Sequence, residues 1–246
     1  MIKFNIGKYD NLVSTNTYLS DKIKFENTSE GTVIVADHQL TGKGYGENSW
    51  ESAKGKNLLL SVYLKPDFLA ANKQFYLSMA VSLTLINVLK QRTSANDFKI
   101  KWPNDIYFGM KKIAGILIEN TIMGDALSDS IVGIGLNVNQ LNFSEKLPNP
   151  ISMINISGEN IDRDSLLADI LTELNIHLSL IAKNEFELLK TNYYKELFLK
   201  GIQSKFMINN KITHGKIIGI NDFGQLKVEI DKKIEVFGFK EIEYIL

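Results

Sequence analysis

The stretch KWPNDIYFGMKKIAGILIE, from Lys101 to Glu119, leaves its part of the chain little choice of fold. An apolar-polar alternation ends at Lys101-Trp102, Pro103 cannot donate to a strand ladder, and the Asn104-Asp105 pair favours a turn. Two apolar runs follow, Ile106 to Phe108 and Ile113 to Ile118, joined by a turn containing Gly109 with Lys111 and Lys112. This pattern predicts a β-hairpin whose turn carries two cations. An amide, a carboxylate and one or two ammonium groups are thereby held together on rigid elements, and Gly115 lets another group approach the backbone closely. The same pattern would also suit an ordinary hairpin with a solvated basic turn.

Around this block the periodicity predicts a mixture of strands and helices. Residues 2–6 alternate like a strand. Ser14-Thr15-Asn16 precede a helix over 17–23, either as caps or as polar ligand groups. A β-branched run, 32–36, leads through Gln39 into the loop 40–50, where Gly42, Gly44 and Gly46 form either an anion-binding nest or a flexible turn. The loop lacks the spacing of a Walker phosphate loop. Buried strands are expected over 57–64 and 131–138, the latter with Gly133 and Gly135. Helices are expected over 73–91, over 165–182 with Asp162 or Asp164 as cap, and over 185–198. Past Gly201 the texture changes to short strands, 205–208, 216–220, 225–230 and 233–239, which predict a small barrel. Residues 1–198 and 199–246 are the expected domains.

Composition narrows the chemistry. With 28 basic and 28 acidic residues among 246, the formal charge is zero, which gives no broad grip on nucleic acid or an anionic membrane. The absence of cysteine excludes disulfides, thiolate nucleophiles and cysteine metal sites. His38, His177 and His214 are far apart and form no metal-ligand spacing, so they read as structural or solvent-facing. No G-x-S-x-G elbow occurs. There is no signal-peptide pattern, and no uninterrupted apolar segment approaches the roughly 20 residues needed to span a bilayer, so a soluble cytoplasmic protein is expected.

The central block resembles the signature of biotin protein ligases, a KWPND segment followed by K-x-x-G-I-L-x-E, carried here by Lys101 to Asp105, Lys112, Gly115 to Leu117 and Glu119. Ser14-Thr15-Asn16, the segment from Gln39 to Trp50, and Gly133 to Asn139 extend the likeness in matching order. The resemblance implies an α+β fold: a class II synthetase-like catalytic domain with a mixed β-sheet and packed helices, plus a C-terminal SH3-like barrel. It also implies ATP-dependent formation of biotinyl-5'-AMP and transfer of biotin to a lysine of a biotin carboxyl carrier domain of a biotin-dependent carboxylase. Neither nucleic acid nor membrane is an expected partner, because Ser14 begins the ligand-binding blocks and leaves no room for the N-terminal helix-turn-helix of some relatives. A monomer and a homodimer both fit.

By that resemblance Lys112 is the catalytic cation, assisted by Lys43, and Asp105 orients or deprotonates the incoming lysine. Ser14, Thr15, Asn16 and Gln39 would read the biotin ureido ring, with Gly42, Lys43 and Gly115 also on the biotin. Trp50, Asn104, Lys112, Asn137 and Asn139 would serve the nucleotide, Asn104 by binding adenine or by positioning Asp105. No metal site is expected from protein groups alone; Mg2+ would arrive with ATP, near Asp105. The loop departs from the family at Tyr45, Gly46 and Glu47, where arginine or glutamine is usual. This predicts a weaker phosphate grip and a faster escape of the adenylate, slowed in Tyr45→Arg. A lipoate or octanoate ligase and a non-catalytic biotin-binding module are the alternatives. The polar triplet favours biotin over the first, and Lys112 argues against the second.

Overall fold

The structure is a computed structural model that describes residues 1–246 except Glu47. The first strands are β1 (Asn5–Leu12), β2 (Thr32–Gln39), the two-residue β3 (Gly42–Lys43) and β4 (Ser49–Trp50), and β5 (Leu58–Leu64). They are followed by β6 (Phe98–Lys101), β7 (Asp105–Phe108), β8 (Lys111–Met123) and β9 (Ala126–Leu136). Seven of them make a mixed sheet in the order β1-β2-β5-β9-β8-β7-β6, with β1 and β2 parallel and the other neighbours antiparallel. The other two, β3 and β4, pair only with each other as a small arm.

Helix α1 (Thr15–Phe25) covers one face of the sheet, where Leu19 packs with Ile34, Tyr63 and Ile131. Helix α2 (Phe75–Thr93) lies on the opposite face within the main core. The short α3 (Met153–Ser157) is followed by α4 (Arg163–Ala182) and α5 (Phe186–Glu196), which pack on α2. Of the two candidate caps for α4, Asp162 is the one used: its carboxylate accepts from the Ser165 N–H. By length and hydropathy α4 alone among the described helices could cross a membrane, but its stripe of Leu166, Leu167, Ile170, Leu171, Leu174 and Leu178 is buried in the core.

Several boundaries differ from the sequence reading, and two of them have identifiable reasons. Ile2 and Phe4 find no ladder; the Ile2 N–H and C=O are held instead by the amide of Asn175, at 2.9 and 3.0 Å. The strand therefore begins at Asn5. At β9 the ladder starts five residues earlier than the apolar run, because it continues the hairpin from β8 through Ser128, Asp129 and Ser130. Tyr63 Oη donates to Asp129 at 2.5 Å and Ser130 Oγ to Asn120 at 2.7 Å, so these polar residues have partners within the sheet.

The C-terminal segment forms a second sheet from β10 (Gln203–Ile208), β11 (Lys211–Ile220), β12 (Leu226–Ile230), β13 (Lys233–Phe237) and β14 (Glu243–Tyr244). Its order is β13-β12-β11-β10-β14, all antiparallel, a layout compatible with an SH3-like unit. Among the described residues the end strands do not pair and no barrel closes, since β14 reaches only Phe206 and Met207 on β10. Phe206, Ile217 and Val228 from this sheet share one buried core with the large one. Trp102 Nε1, just past β6, donates to the Gly224 carbonyl at 2.8 Å, and Tyr194 Oη on α5 donates to the Ile220 carbonyl at 2.7 Å, tying the second sheet to the end of the first and to α5.

Candidate active site

A cleft of about 400 Å³ opens on the α1 face of the large sheet, a size suited to a small-molecule ligand. Its floor is set by register. Asp105, Gly115 and Gly135 are direct neighbours across β7, β8 and β9, and Leu117, Gly133 and Ser61 form the next such row across β8, β9 and β5. Side chains within a row share a face. Two glycines side by side thus leave a shallow flat patch, and the Trp50 indole fills it. A Cβ on Gly135 would lie 2.5 Å from Trp50 Cε2, and one on Gly115 would lie 3.1 Å from Cζ3. Trp50 Nε1 is buried and has no hydrogen-bond partner among the described residues.

A bulge decides which face Lys112 occupies. Simple alternation from Gly115 would bring Ile113 and Lys111 onto the cleft side, but the β7–β8 register slips between Ile106 and Tyr107, so Lys112 pairs with Tyr107 instead. The ammonium of Lys112 reaches Asp105 Oδ1 at 2.7 Å and lies 5.6 Å from the Trp50 ring centre. Neither partner is sealed off: the Lys112 side chain is 32% exposed and that of Asp105 16%, so an anionic ligand can approach the pair. The Lys112 backbone is clamped on its other side, its N–H donating to Asn149 C=O at 2.8 Å and its C=O accepting from Ile151 N–H at 3.0 Å. This brings Leu147, Pro148 and Pro150 into the cleft wall.

The opposite end is polar. Thr15 N–H and Oγ1 donate to Gln39 Oε1 at 2.7 and 3.1 Å. Ser61 Oγ stands 2.7 Å from Thr15 Oγ1 and 2.5 Å from Asn16 Oδ1, and its single proton can serve one of them at a time. Asn16 Nδ2 donates to Glu119 Oε2 at 2.7 Å. Ser14 occupies the N-cap position of α1 but its hydroxyl makes no capping bond, although the residue is buried in the cleft wall. Ser61 is an addition to the residues singled out from sequence, and Glu119, which the sequence offers only as part of the motif, joins it at the site. A serine inside the otherwise apolar run LLLSVYL is the available signal for the first, and the last position of the K-x-x-G-I-L-x-E motif for the second.

Lys43, Asn104 and Asn137 also line the cleft. Asn104 donates through Nδ2 to the Ile116 carbonyl at 2.8 Å and its own carbonyl accepts from the Ile116 N–H, which anchors the turn before Asp105. Asn137 donates through Nδ2 to the Ile151 carbonyl at 3.0 Å. Asn139 lies outside the cleft lining; its amide is spent on both backbone groups of Ile161, at 2.8 and 2.9 Å. Gly42 is likewise outside the lining and packs against the Trp50 carbonyl and Gln39. The glycine-rich loop contains a miniature hairpin, in which the Gly44 N–H is taken by the Asn48 carbonyl at 2.8 Å and is not free for an anion. Tyr45 turns its ring onto Phe239 of the C-terminal sheet, and Glu47, the remaining departure in that loop, lies outside the described residues.

Lys101, the first residue of the central motif, is the direct neighbour of Asp105 across β6 and β7, with its ammonium 5.2 Å from the Tyr107 ring centre and 4.7 Å from that of Tyr244. Burial lowers its pKa, opposed by the nearby Asp105 carboxylate. Burial also pushes the Tyr107 hydroxyl up to about 12. No cluster of three acidic or histidine side chains able to hold a metal exists among the described residues.

The arrangement joins a hydrogen-bonding pocket, a cation at its middle and an indole floor beyond. Comparison with known proteins gives the same layout a lineage. The sequence profile of the Biotin/lipoate A/B protein ligase family matches residues 10–137. The chain is 29% identical over 238 residues to the bifunctional ligase/repressor BirA of Bacillus subtilis, covering 96% of this chain and 73% of that protein. It is 30% identical over 248 residues to biotin–protein ligase 2 of Arabidopsis thaliana, covering 89% of this chain and 75% of that one. Among solved structures, the biotin protein ligase from Aquifex aeolicus in complex with biotin and ATP superposes with a TM-score of 0.81 at 27% identity, over 97% of each chain. The chain is therefore a member of the Biotin/lipoate A/B protein ligase family.

Proposed function

We propose that this chain activates biotin with ATP as biotinyl-5'-AMP and transfers the biotinyl group to one lysine of a biotin carboxyl carrier domain of a biotin-dependent carboxylase. The observation that carries the reading is the Lys112–Asp105 pair at 2.7 Å, set between the polar Thr15-Asn16-Gln39 end and the Trp50 floor. A ureido ring has donors and an acceptor on one rigid edge, and Ser14, Thr15, Asn16 and Gln39 offer both kinds of partner. A lipoyl dithiolane would leave these groups unmatched, which disfavours it as the substrate.

In the first step a biotin carboxylate oxygen attacks the α-phosphorus of ATP; an O–P bond forms, the bond to the β-phosphate oxygen breaks, and pyrophosphate leaves. Lys112 holds carboxylate and phosphate together and offsets the charge that builds up between them, with Lys43 on the loop above. Displacement of Asp105 from Lys112 by the incoming anions frees the Asp105 carboxylate for the second step. There the acceptor amine attacks the biotinyl carbonyl, the C–O bond to AMP breaks, and Asp105 orients the amine or takes its proton. Magnesium binds one or two carboxylates and otherwise phosphate and water, so Asp105 and the cleft-lining Glu51 suit an ion that arrives on the nucleotide. It would supply charge neutralisation of the leaving pyrophosphate.

On this reading Trp50 packs against the adenine from the two-glycine patch, and Asn137 and the Leu147–Pro150 wall border the nucleotide. Asn104 acts by fixing the turn that presents Asp105. The zero formal charge makes nucleic acid an unsuitable partner, and the need for ATP and an unmodified carrier suits a reaction in the cytoplasm. Biotin-dependent ATP–pyrophosphate exchange is the test. Exchange with biotin and none with lipoate supports the reading, and exchange with lipoate alone overturns it.

A further inference from the structure

The C-terminal sheet carries a tight turn just after β13. Glu241 accepts from the Gly238 N–H at 2.6 Å and donates its own N–H to the Gly238 carbonyl, while Lys240 takes a left-handed φ of 67°. This self-bonded turn presents Phe239 between two other rings. Phe239 meets Trp102 edge-on at 5.2 Å on one side and Tyr45, in the glycine-rich loop, edge-on at 5.2 Å on the other. Gly46 runs past Lys240 in the same turn, close enough that a Cβ there would lie 2.6 Å from the ammonium. Among the described residues the loop's other backbone bonds are at its entry, from Leu40 to Leu12 and from Thr41 to Val13, and within itself, in the two-residue ladder and the Gly44–Asn48 and Asn48–Tyr45 bonds. A cavity of about 50 Å³ under Tyr45 and Phe239 leaves the joint loosely filled.

From this geometry we infer that Phe239 is a positioning residue of the ligation site: it seats Tyr45 and thereby fixes the loop that brings Lys43 and Trp50 into the cleft. Trp102 anchors Phe239 in turn, and Trp102 is held by Gly224 of the C-terminal sheet, so the ring chain Tyr45–Phe239–Trp102 returns to the body of the protein next to Asp105. A single edge-on aromatic pair contributes enough to change an opening equilibrium roughly 2- to 12-fold. The second sheet thus controls how long the loop stays shut without touching a ligand. Its effect on catalysis rests on the ligase reading above; its effect on the loop does not.

Two readouts on the full chain separate those claims. Hydrogen exchange of the Gly44 amide in the ligand-free protein reports the loop alone. Phe239→Ala and Tyr45→Ala are each expected to speed it about tenfold, the double variant no more than either single one, and Phe239→Tyr to restore it. Release of biotinyl-AMP should accelerate in the same order, with pyrophosphate-exchange kcat changed less than the release rate. Tyr45→Arg supplies a cation but removes the ring, and should behave like Tyr45→Ala. Multiplying effects in the double variant, or Gly44 exchange within twofold of wild type in Tyr45→Ala, would overturn the inference. Tyr45→Ala leaves the second sheet intact, so the result stands even if Phe239→Ala unfolds. Failure of the wild-type chain to make any adenylate would count against the ligase reading, and Gly44 exchange would still decide whether the aromatic joint holds the loop.

Discussion

Substituting alanine at Gly135 should strike the indole floor and almost nothing else. The residue sits near the end of β9 with an ordinary φ, so the backbone accepts alanine; the added methyl, however, would stand 2.5 Å from Trp50 Cε2 and 2.9 Å from Nε1. Carbon–carbon contacts are comfortable at about 3.5–4.0 Å, so the ring has to withdraw by roughly 1 Å or more. Overfilling of this kind costs about 1–3 kcal/mol, equivalent to a roughly 5- to 150-fold loss of the seated ring. The ATP KM in pyrophosphate exchange should rise within that range while biotin affinity, measured by calorimetry, stays within about twofold. Gly133→Ala is the mirror experiment, because its methyl would overlap the Asn16 amide and leave Trp50 alone. It should weaken biotin and spare ATP. An unchanged ATP KM in Gly135→Ala, with the melting temperature preserved, would show that Trp50 does not rest where the geometry puts it. Equal damage to both ligands in both variants would show that the cleft is not divided as described.

Lys112→Ala should lower the exchange rate on the order of 100-fold or more with an unchanged melting temperature, since the lost ammonium acts on charge present in the transition state; a loss of only a few-fold would refute its role. Ser61→Ala removes the hydroxyl shared by Thr15 and Asn16, at 2.7 and 2.5 Å, and should cost about 1–3 kcal/mol in biotin binding. An unchanged biotin Kd would mean that the network does not set the pocket. His177 on α4 is buried beside Thr84 of α2 and Glu173 of its own helix, and burial lowers its pKa, so below about pH 6.5 the unfolded chain takes up a proton that the folded one resists. Stability should therefore fall as the pH drops through 6.5 and level off below the depressed folded value. His177→Gln should lose that part of the slope in urea titrations at pH 7.5 and 5.5, and an identical slope would assign it to other groups.

What can be read from the residues follows from how local each signal is. The hairpin at Ile106–Ile118, the Leu stripe of α4 and the apolar run of β5 are set by alternation or helical spacing over a few residues, and the structure has them in place. The cleft side of Lys112 is not legible, because it depends on a one-residue slip in the ladder that leaves no mark in the hydropathy pattern. In sequence Asn139 looks equivalent to Asn137 at two-residue spacing. The chain leaves the sheet after Leu136, though, and from there alternation no longer fixes where a side chain points. The three loop glycines suggest a nest because backbone N–H groups can converge in such loops; the partner that claims Gly44, the Asn48 carbonyl, is a matter of turn geometry. In the sequence Tyr45 can be set only against phosphate, since its partner Phe239 lies nearly two hundred residues away in a different sheet.

The most direct measurement is mass spectrometry of an unmodified biotin carboxyl carrier domain incubated with this chain, ATP, magnesium and biotin. One biotinyl group on a single carrier lysine, absent when ATP is omitted and absent with lipoate in place of biotin, is the predicted outcome. An unmodified carrier with biotin, or a lipoylated one, would contradict the account.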